Sequence, residues 1–251
     1  MNAATNKQIG PLQCIVLPAR KQPSIPVVIL HGFGASASDL GDLPLYWSRL
    51  LGDQAERFEF IVPDAPMTLE QYGMPGARAW WPINMARLME LFETERFDEL
   101  HVHEPPGIIE ATMAVVDTIQ AARAEAATAS GLEIDQVPYA VGGFSQGAML
   151  SAQIALQGDV PPPDLLLQFS GTLICEAKWR AASSRLGSTR VYQTHGTVDA
   201  VLPFASAKAL GEILEPASKL YEFDSFEGGH GIPPEVISKT ATKLADWIDG
   251  L

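Results

Sequence analysis

The sequence predicts an α/β fold with a mostly parallel central sheet flanked by helices on both faces. Short apolar runs such as PVVILH at 26–31 alternate with longer segments of helical period, which is typical of a parallel sheet with crossover helices. The runs are nearly all apolar, as in strands that are buried on both faces. A chain of 251 residues with 47% hydrophobic content can bury one large core, so we expect a single domain over residues 1–251.

Seven apolar runs are predicted to be strands. They lie at about residues 12–18, 26–31, 58–62, 138–143, 164–170, 190–195 and 218–223. From Ile109 onward, apolar residues recur at spacings of four, three and three, which predicts an amphipathic helix over 108–129 that ends before Gly131. The same periodicity predicts a last helix over about residues 234–249.

The stretch from residue 64 to 106 departs from this alternation. It contains the aromatic pair Trp80 and Trp81, followed by a helical pattern in 85–97 with Leu88 and three other apolar residues on one side. Such a stripe is more often core than ligand site. The alternative is that 64–106 forms a substrate wall or cap over a pocket.

Charge and cysteine content restrict the partners and the location. The net charge of −13 repels phosphate backbones and anionic membrane surfaces, so we expect no nucleic-acid partner and no membrane insertion. Cys14 and Cys175 have no pairable spacing, which favours a reducing compartment. No run approaches the roughly 18 apolar residues of a membrane helix, and the start lacks the pattern of a secretory signal. The expected location is the cytoplasm, and exposed apolar residues in 85–97 would suit a homodimer as well as a substrate wall.

Residues 143–147, Gly-Phe-Ser-Gln-Gly, fit the G-x-S-x-G pattern of a nucleophile elbow. The segment before them is predicted to be a strand, and the segment after them a helix that ends at Gly158. Gly143 and Gly147 would lack side chains because strand and helix backbones come close at such a turn. The helix would direct its first amides at Ser145, the predicted nucleophile. The alternative is a glycine-bounded turn with an inert hydroxyl.

A serine nucleophile needs a base, and the base needs an orienting acid. Of the two histidines after Ser145, His230 lies in the loop FEGGHGIPP before the last helix, where neighbouring glycines allow a close approach. His230 is therefore the predicted base, and a solvated loop histidine is the alternative. His195, at the end of a predicted strand, is expected to pack or to hydrogen-bond there.

The predicted acid is Asp199, which follows a predicted strand and lies four residues past His195. Its competitor Asp224 lies only six residues before His230 and is expected to cap the end of the preceding strand. Asp64 precedes the serine in the chain and is expected to form a turn.

Two main-chain amides are candidates for the oxyanion hole. One belongs to Gln146, directly after the nucleophile. The other belongs to Phe33 in the loop ILHGFGASASDL, where Gly32 and Gly34 allow an unusual backbone path. His31 is expected to brace this loop rather than to take part in the chemistry.

Four segments occur in one order along the chain: LHGFGASASD, GGFSQGAML, HGTVDAVLP and GGHGIP. Together they resemble the small carboxylesterase, lysophospholipase and acyl-protein thioesterase family of α/β-hydrolases over about residues 25–250. The resemblance implies the α/β-hydrolase fold and the site residues already chosen from the chain, namely Ser145, Asp199, His230, Phe33 and Gln146.

The segment RAWW also resembles the family, whose members often place an apolar acyl site beside it. Phe33, Trp80, Trp81 and Leu88 are therefore expected to contact an acyl chain. Two departures from the family pattern are Pro82, where an acidic residue is common, and Ala148, where a second glycine is common.

These observations predict a serine hydrolase that cleaves carboxylic esters or thioesters of short to medium acyl chain through an acyl-enzyme. We expect neither a metal nor an organic cofactor. Two alternatives are a non-catalytic ligand-binding or interaction protein of the same fold, which would not need a serine, an acid and a base together, and a peptidase of the fold.

Overall fold

The computed structural model describes residues 3–251, and a central sheet of eight strands forms its middle layer. The strands of this sheet are β1 (Thr5–Ile9), β2 (Leu12–Leu17), β3 (Ile25–Leu30), β4 (Phe58–Pro63), β7 (Ala140–Phe144), β8 (Leu165–Phe169), β9 (Arg190–Gly196) and β10 (Leu220–Phe226), and a separate two-stranded sheet comprises β5 (Met67–Thr68) and β6 (Arg78–Ala79). The helices are α1 (Ala37–Leu40), α2 (Leu43–Leu51), α3 (Met85–Glu93), α4 (Ile108–Ser130), α5 (Gln146–Gln157), α6 (Glu176–Ala182), α7 (Phe204–Leu214) and α8 (Pro234–Ile248).

The large sheet is mostly parallel, as predicted. Its order is β1-β2-β4-β3-β7-β8-β9-β10. The pairs β1–β2 and β2–β4 are antiparallel, and every other neighbouring pair is parallel. The carboxyl ends of β3, β7 and β9 therefore lie at one edge, where ligands bind in open α/β sheets.

Helices cover both faces of this sheet. Because side chains alternate along a strand, Val28 and Ile29 point to opposite faces and belong to two different hydrophobic clusters. The cluster of Val28 includes residues of α4, α5 and α7, and the cluster of Ile29 includes residues of α2 and α8. This arrangement confirms the predicted fold class.

Several elements differ from their predicted extents. The strand expected at 218–223 reaches Phe226, so Asp224 lies inside β10 and does not cap its end, which corrects that expectation. Edge strand β1 was not predicted, because its sequence TNKQI buries only Ile9 fully and has no apolar run. Helices α4 and α8 match their predicted ranges to within one residue at each end.

The segment 64–106 contains β5, β6, α3 and two short 3₁₀ turns rather than one longer helix. The helical pattern predicted over 85–97 stops at Glu93, where Thr94 caps α3. No helix within residues 3–251 combines the length and the apolar character needed to cross a bilayer.

Candidate active site

Ser145 lies at the sharp turn between β7 and α5. Its backbone has φ of 56° and ψ of −116°, a conformation that is rare for a residue with a side chain and costs about 1–3 kcal/mol. A Cβ on Gly143 would lie 2.4 Å from the backbone of Gly147, and a Cβ on Gly147 would lie 2.1 Å from the carbonyl oxygen of Leu30. Both glycines are therefore required by the close approach of α5 to β3 and β7.

His230 and Asp199 are brought together by two loops at the carboxyl edge of the sheet. The Nδ1 of His230 lies 2.7 Å from Oδ2 of Asp199. The loops touch through their backbones, because a Cβ on Gly196 would lie 2.3 Å from the carbonyl oxygens of both Gly228 and Gly229. Gly196 thus has no room for a side chain at the contact that brings Asp199 and His230 together.

The Asp199 carboxylate is buried but well supplied with hydrogen-bond donors. Its Oδ1 accepts from the amides of Val201 at 2.8 Å and Leu202 at 2.9 Å. Burial alone would raise the pKa of Asp199, but the hydrogen bonds from His195, His230 and the Leu202 amide hold it well below its usual range. The acid is therefore ionised at neutral pH and can hold His230 in the tautomer with a proton on Nδ1.

Ser145 and His230 line one cavity of about 580 Å³, a volume within the usual range for small-molecule sites. No hydrogen bond joins their side chains in residues 3–251, and ligand-free catalytic sites often hold this contact long. The ring of His230 packs against that of Phe144, with centroids 4.7 Å apart. The predicted nucleophile and the predicted base therefore open onto the same space.

Of the two residues predicted to supply oxyanion amides, Phe33 lines this cavity, and Gln146 follows the lining residue Ser145 but does not line the cavity itself. Within residues 3–251, the amide nitrogens of Phe33 and Gln146 donate to no acceptor, which leaves both free for a ligand oxygen. His31 braces the Phe33 loop as expected: its Nε2 accepts from the Ala65 amide at 3.0 Å and its Nδ1 donates to the Gly32 carbonyl at 2.8 Å. Burial lowers the pKa of His31, in keeping with a neutral ring.

Of the predicted acyl contacts, Phe33, Trp81 and Leu88 line the cavity and Trp80 does not. Trp80 points into the protein, where its Nε1 donates to the His31 carbonyl at 2.9 Å and its ring packs 5.3 Å from that of His31. The prediction for Trp80 is thus corrected, because the two adjacent aromatic side chains point in different directions.

The side chain of Gln146 has a role that was not predicted. It is fully buried, accepts from the Trp80 amide at 3.0 Å and donates to the Trp81 carbonyl at 2.8 Å. The residue after the predicted nucleophile therefore connects Trp81 in the cavity wall to the turn at Ser145. In the sequence, the signal for this role is a glutamine at the first position of a mostly apolar predicted helix.

Helix α3 supplies the far wall of the cavity through Leu88 and Leu91. The helix begins at Asn84, whose side chain accepts from the Arg87 amide at 3.0 Å. The Arg87 guanidinium pairs with Glu90 at 2.8 Å and with Glu99 at 2.6 Å. The polar contacts of α3 thus stay within its own segment of chain.

The two other candidate aspartates have separate structural partners. Asp224 accepts from the Tyr192 hydroxyl at 3.0 Å and pairs with Lys239 at 3.0 Å. Asp64 accepts from the amide of Ala37, the first residue of α1, at 2.8 Å. Neither carboxylate lines the cavity.

The fold and this site together define a serine hydrolase. The elbow, the paired acid and base, and the two free amides all lie at the edge of the sheet where such enzymes bind their substrates. The chain belongs to the phospholipase/carboxylesterase family, whose model matches residues 12–248. It is therefore a serine hydrolase of the carboxylesterase/thioesterase type.

Comparisons with known proteins agree with this assignment. Acyl-protein thioesterase 1 of Eremothecium gossypii is 27% identical over 230 residues, which cover 89% of this chain and 88% of the relative. The crystal structure of esterase PE8 matches with a TM-score of 0.70 at 24% identity, over 94% of this chain and 98% of that one. A carboxylesterase from Mesorhizobium loti matches with a TM-score of 0.69 at 16% identity, over 96% and 98%. The two structures are similar in fold.

Proposed function

We propose that the protein cleaves carboxylic esters or thioesters of short to medium acyl chain through an acyl-enzyme on Ser145. The observation that carries this proposal is the 2.7 Å contact between His230 and Asp199 beside a cavity that also opens onto Ser145. The similarity to an acyl-protein thioesterase supports thioesters as a second substrate class.

Each group has a defined step in the proposed reaction. Ser145 Oγ attacks the acyl carbon while His230 Nε2 takes its proton, and Asp199 stabilises the imidazolium that forms. The amides of Phe33 and Gln146 receive the oxyanion. His230 then protonates the leaving alcohol or thiol, and water repeats the sequence to release the acid.

The apolar side chains that line the cavity support an apolar acyl group. Trp81, Leu88 and Leu91 lie along its wall together with Met149 and Ile174. Each methylene that leaves water for such a wall contributes about 0.8 kcal/mol. We infer that the acyl chain lies against this wall.

The test is hydrolysis of p-nitrophenyl esters from acetate to decanoate, and of a matched thioester series, by the wild type and Ser145→Ala. Activity is expected in the wild type and should vanish in the variant. Ser238→Ala, an exposed serine on α8, is the matched control and should stay active. A fluorophosphonate probe should add to Ser145 in the wild type.

Other outcomes would select another function. A wild type that neither hydrolyses the esters and thioesters nor takes up the fluorophosphonate would be a binding protein of the same fold. Faster cleavage of an amide panel than of the ester series would make it a peptidase.

We also propose a cytoplasmic location and a homodimer formed through the outer face of α3. That face exposes Met89 and Phe92, and exposed apolar patches are common at subunit contacts. Light scattering after size exclusion should give about twice the chain mass of 27.1 kDa, and Met89→Lys should return the monomer.

A further inference from the structure

We propose that His195 is a positioning residue that acts through Asp199 and moderates the hold of that carboxylate on His230. This inference rests on the proposed function, in which Asp199 and His230 serve as acid and base. It gives a role to a second imidazole that contacts the acid without lining the cavity.

The geometry identifies which nitrogen of His195 carries the proton. Its Nε2 lies 2.8 Å from the Leu202 carbonyl oxygen and 3.2 Å from Asp199 Oδ2. Both neighbours are acceptors, so Nε2 must be the donor. Its Nδ1 is buried and has no hydrogen-bond partner among residues 3–251. A proton on Nδ1 would have no acceptor there, so the geometry favours the tautomer with its proton on Nε2.

The oxygen that His195 contacts is the one that His230 uses. Oδ2 of Asp199 contacts both imidazoles, whereas Oδ1 accepts hydrogen bonds from the amides of Val201 and Leu202. The two amides fix the plane of the carboxylate without His195. The separate contribution of His195 is to share the charge on Oδ2, because each added donor weakens an oxygen as an acceptor for the others.

This sharing sets how firmly the acid stabilises a protonated base. A carboxylate with one donor fewer attracts the imidazolium of His230 more strongly. His230 would then keep its proton to higher pH and would be available as a base over a narrower range. His195 therefore widens the pH range in which the proposed triad can begin a turnover.

The other groups described around His195 are an aromatic ring and a carboxylate that has its own partners. The ring of Phe204 on α7 packs 6.1 Å from that of His195. On the adjacent strand β10, Asp224 pairs with Thr194 in the sheet, and its carboxylate is held by Tyr192 and Lys239. In residues 3–251, the titratable groups in direct contact with the acid are the two histidines.

The test compares kcat/KM against pH for the wild type, His195→Phe and His195→Gln. In His195→Phe, which removes the donor, the acidic limb should move to higher pH by about one unit, so activity at low pH falls about tenfold while activity at high pH approaches that of the wild type. KM should change little. His195→Gln keeps an N–H donor, so its acidic limb should lie at the same pH as that of the wild type. His101→Phe, a histidine that bonds to Ser206 instead, is the control.

A uniform loss of activity at every pH in His195→Phe, or no change, would overturn the inference. If that variant does not fold, His195→Leu removes the same donor with a smaller side chain. The second readout is the proton NMR signal of the His230–Asp199 hydrogen bond, which should move downfield in the donor-free variants. This signal does not require turnover, so it still tests His195 if the wild type proves inactive on esters and the proposed function fails.

Discussion

The side-chain oxygen of Gln146 accepts a hydrogen bond from the main-chain amide of Trp80 at 3.0 Å. This contact joins the first residue of α5 to the segment that continues into the cavity wall. Its main-chain amide is a proposed oxyanion donor, and its side chain holds the Trp80–Trp81 segment. Gln146 would therefore link the proposed chemistry to the cavity wall.

Gln146→Leu is expected to separate these two roles. The amide of Trp80 and the carbonyl of Trp81 would lose their partners in a buried place, at about 1–3 kcal/mol for each group. KM for hexanoate and longer esters should rise, whereas acetate turnover should change less because the main-chain donor remains. Urea unfolding and the ester series measure both effects. The control Gln157→Leu, on the exposed end of α5, should change neither.

Gly147→Ala is expected to prevent the normal packing of the elbow. The added Cβ would meet the Leu30 carbonyl oxygen at 2.1 Å, and neither backbone can move aside. A loss of at least about 3 kcal/mol in the free energy of unfolding should follow. Thermal unfolding and the yield of folded protein measure this loss of stability. Gly187→Ala, where nothing lies within 4 Å, should behave as the wild type. Equal stability of the two variants would contradict this account of the elbow.

Leu88→Trp is expected to shorten the acyl site. The larger side chain would fill part of the cavity that Leu88 lines. The ester optimum should move to shorter chains, with about a fourfold loss in kcat/KM for each methylene that is no longer accommodated. Met89→Trp places the same side chain at the neighbouring, 59% exposed position and should leave the optimum unchanged. A shift of the optimum in both variants would mean that α3 acts through the fold rather than through the cavity.

Asp199→Asn is expected to lower kcat by about 10⁴ because the amide favours the wrong tautomer of His230. Stability should respond to pH with a defined sign. The pKa of Asp199 lies below its ordinary value of 3.8, so its contribution is present above that value and is lost as pH falls toward the folded-state pKa. The difference in unfolding free energy between wild type and variant should be constant near neutral pH and shrink below about pH 4. Denaturant titrations across this range measure it, and a difference that stays constant at low pH would refute the assigned shift.

The two cysteines are expected to resist alkylation in the folded protein. Burial raises the pKa of Cys14 to about 12 and that of Cys175 to about 11, and the thiolate is the reactive form. Mass spectrometry after iodoacetamide treatment at pH 8 should find both unmodified, and both modified once the chain is unfolded in guanidinium. Rapid labelling of either thiol in the folded protein would disprove this.

The sequence predicted those parts of the fold that have a strong local pattern. The buried strands are continuous apolar runs, and the elbow glycines are required by backbone contacts that any such turn makes. Strand β1 has neither pattern, because it pairs only with β2 at the edge of the sheet and exposes most of its side chains. Its pairing depends on the tertiary structure.

Within the site, the positions of Ser145, His230 and Asp199 could be predicted from motif order, whereas the direction of each side chain could not. Trp80 and Trp81 are adjacent in sequence, yet only Trp81 reaches the cavity. The choice depends on the hydrogen bond from Trp80 to His31, a contact between residues far apart in the chain. The second partner of Asp199 likewise depends on where β9 ends.

The polar contacts of α3 have a consequence for changing the substrate range by protein engineering. Its capping residue Asn84 and the ion pairs of Arg87 all lie within residues 84–99, whereas the groups proposed for chemistry lie on the ends of the large sheet. A library confined to the inward positions of α3 could therefore alter which acyl groups are accepted while the reacting groups keep their geometry. Such a library would leave Ser145, Asp199 and His230 unchanged, since none of them lies within residues 84–99.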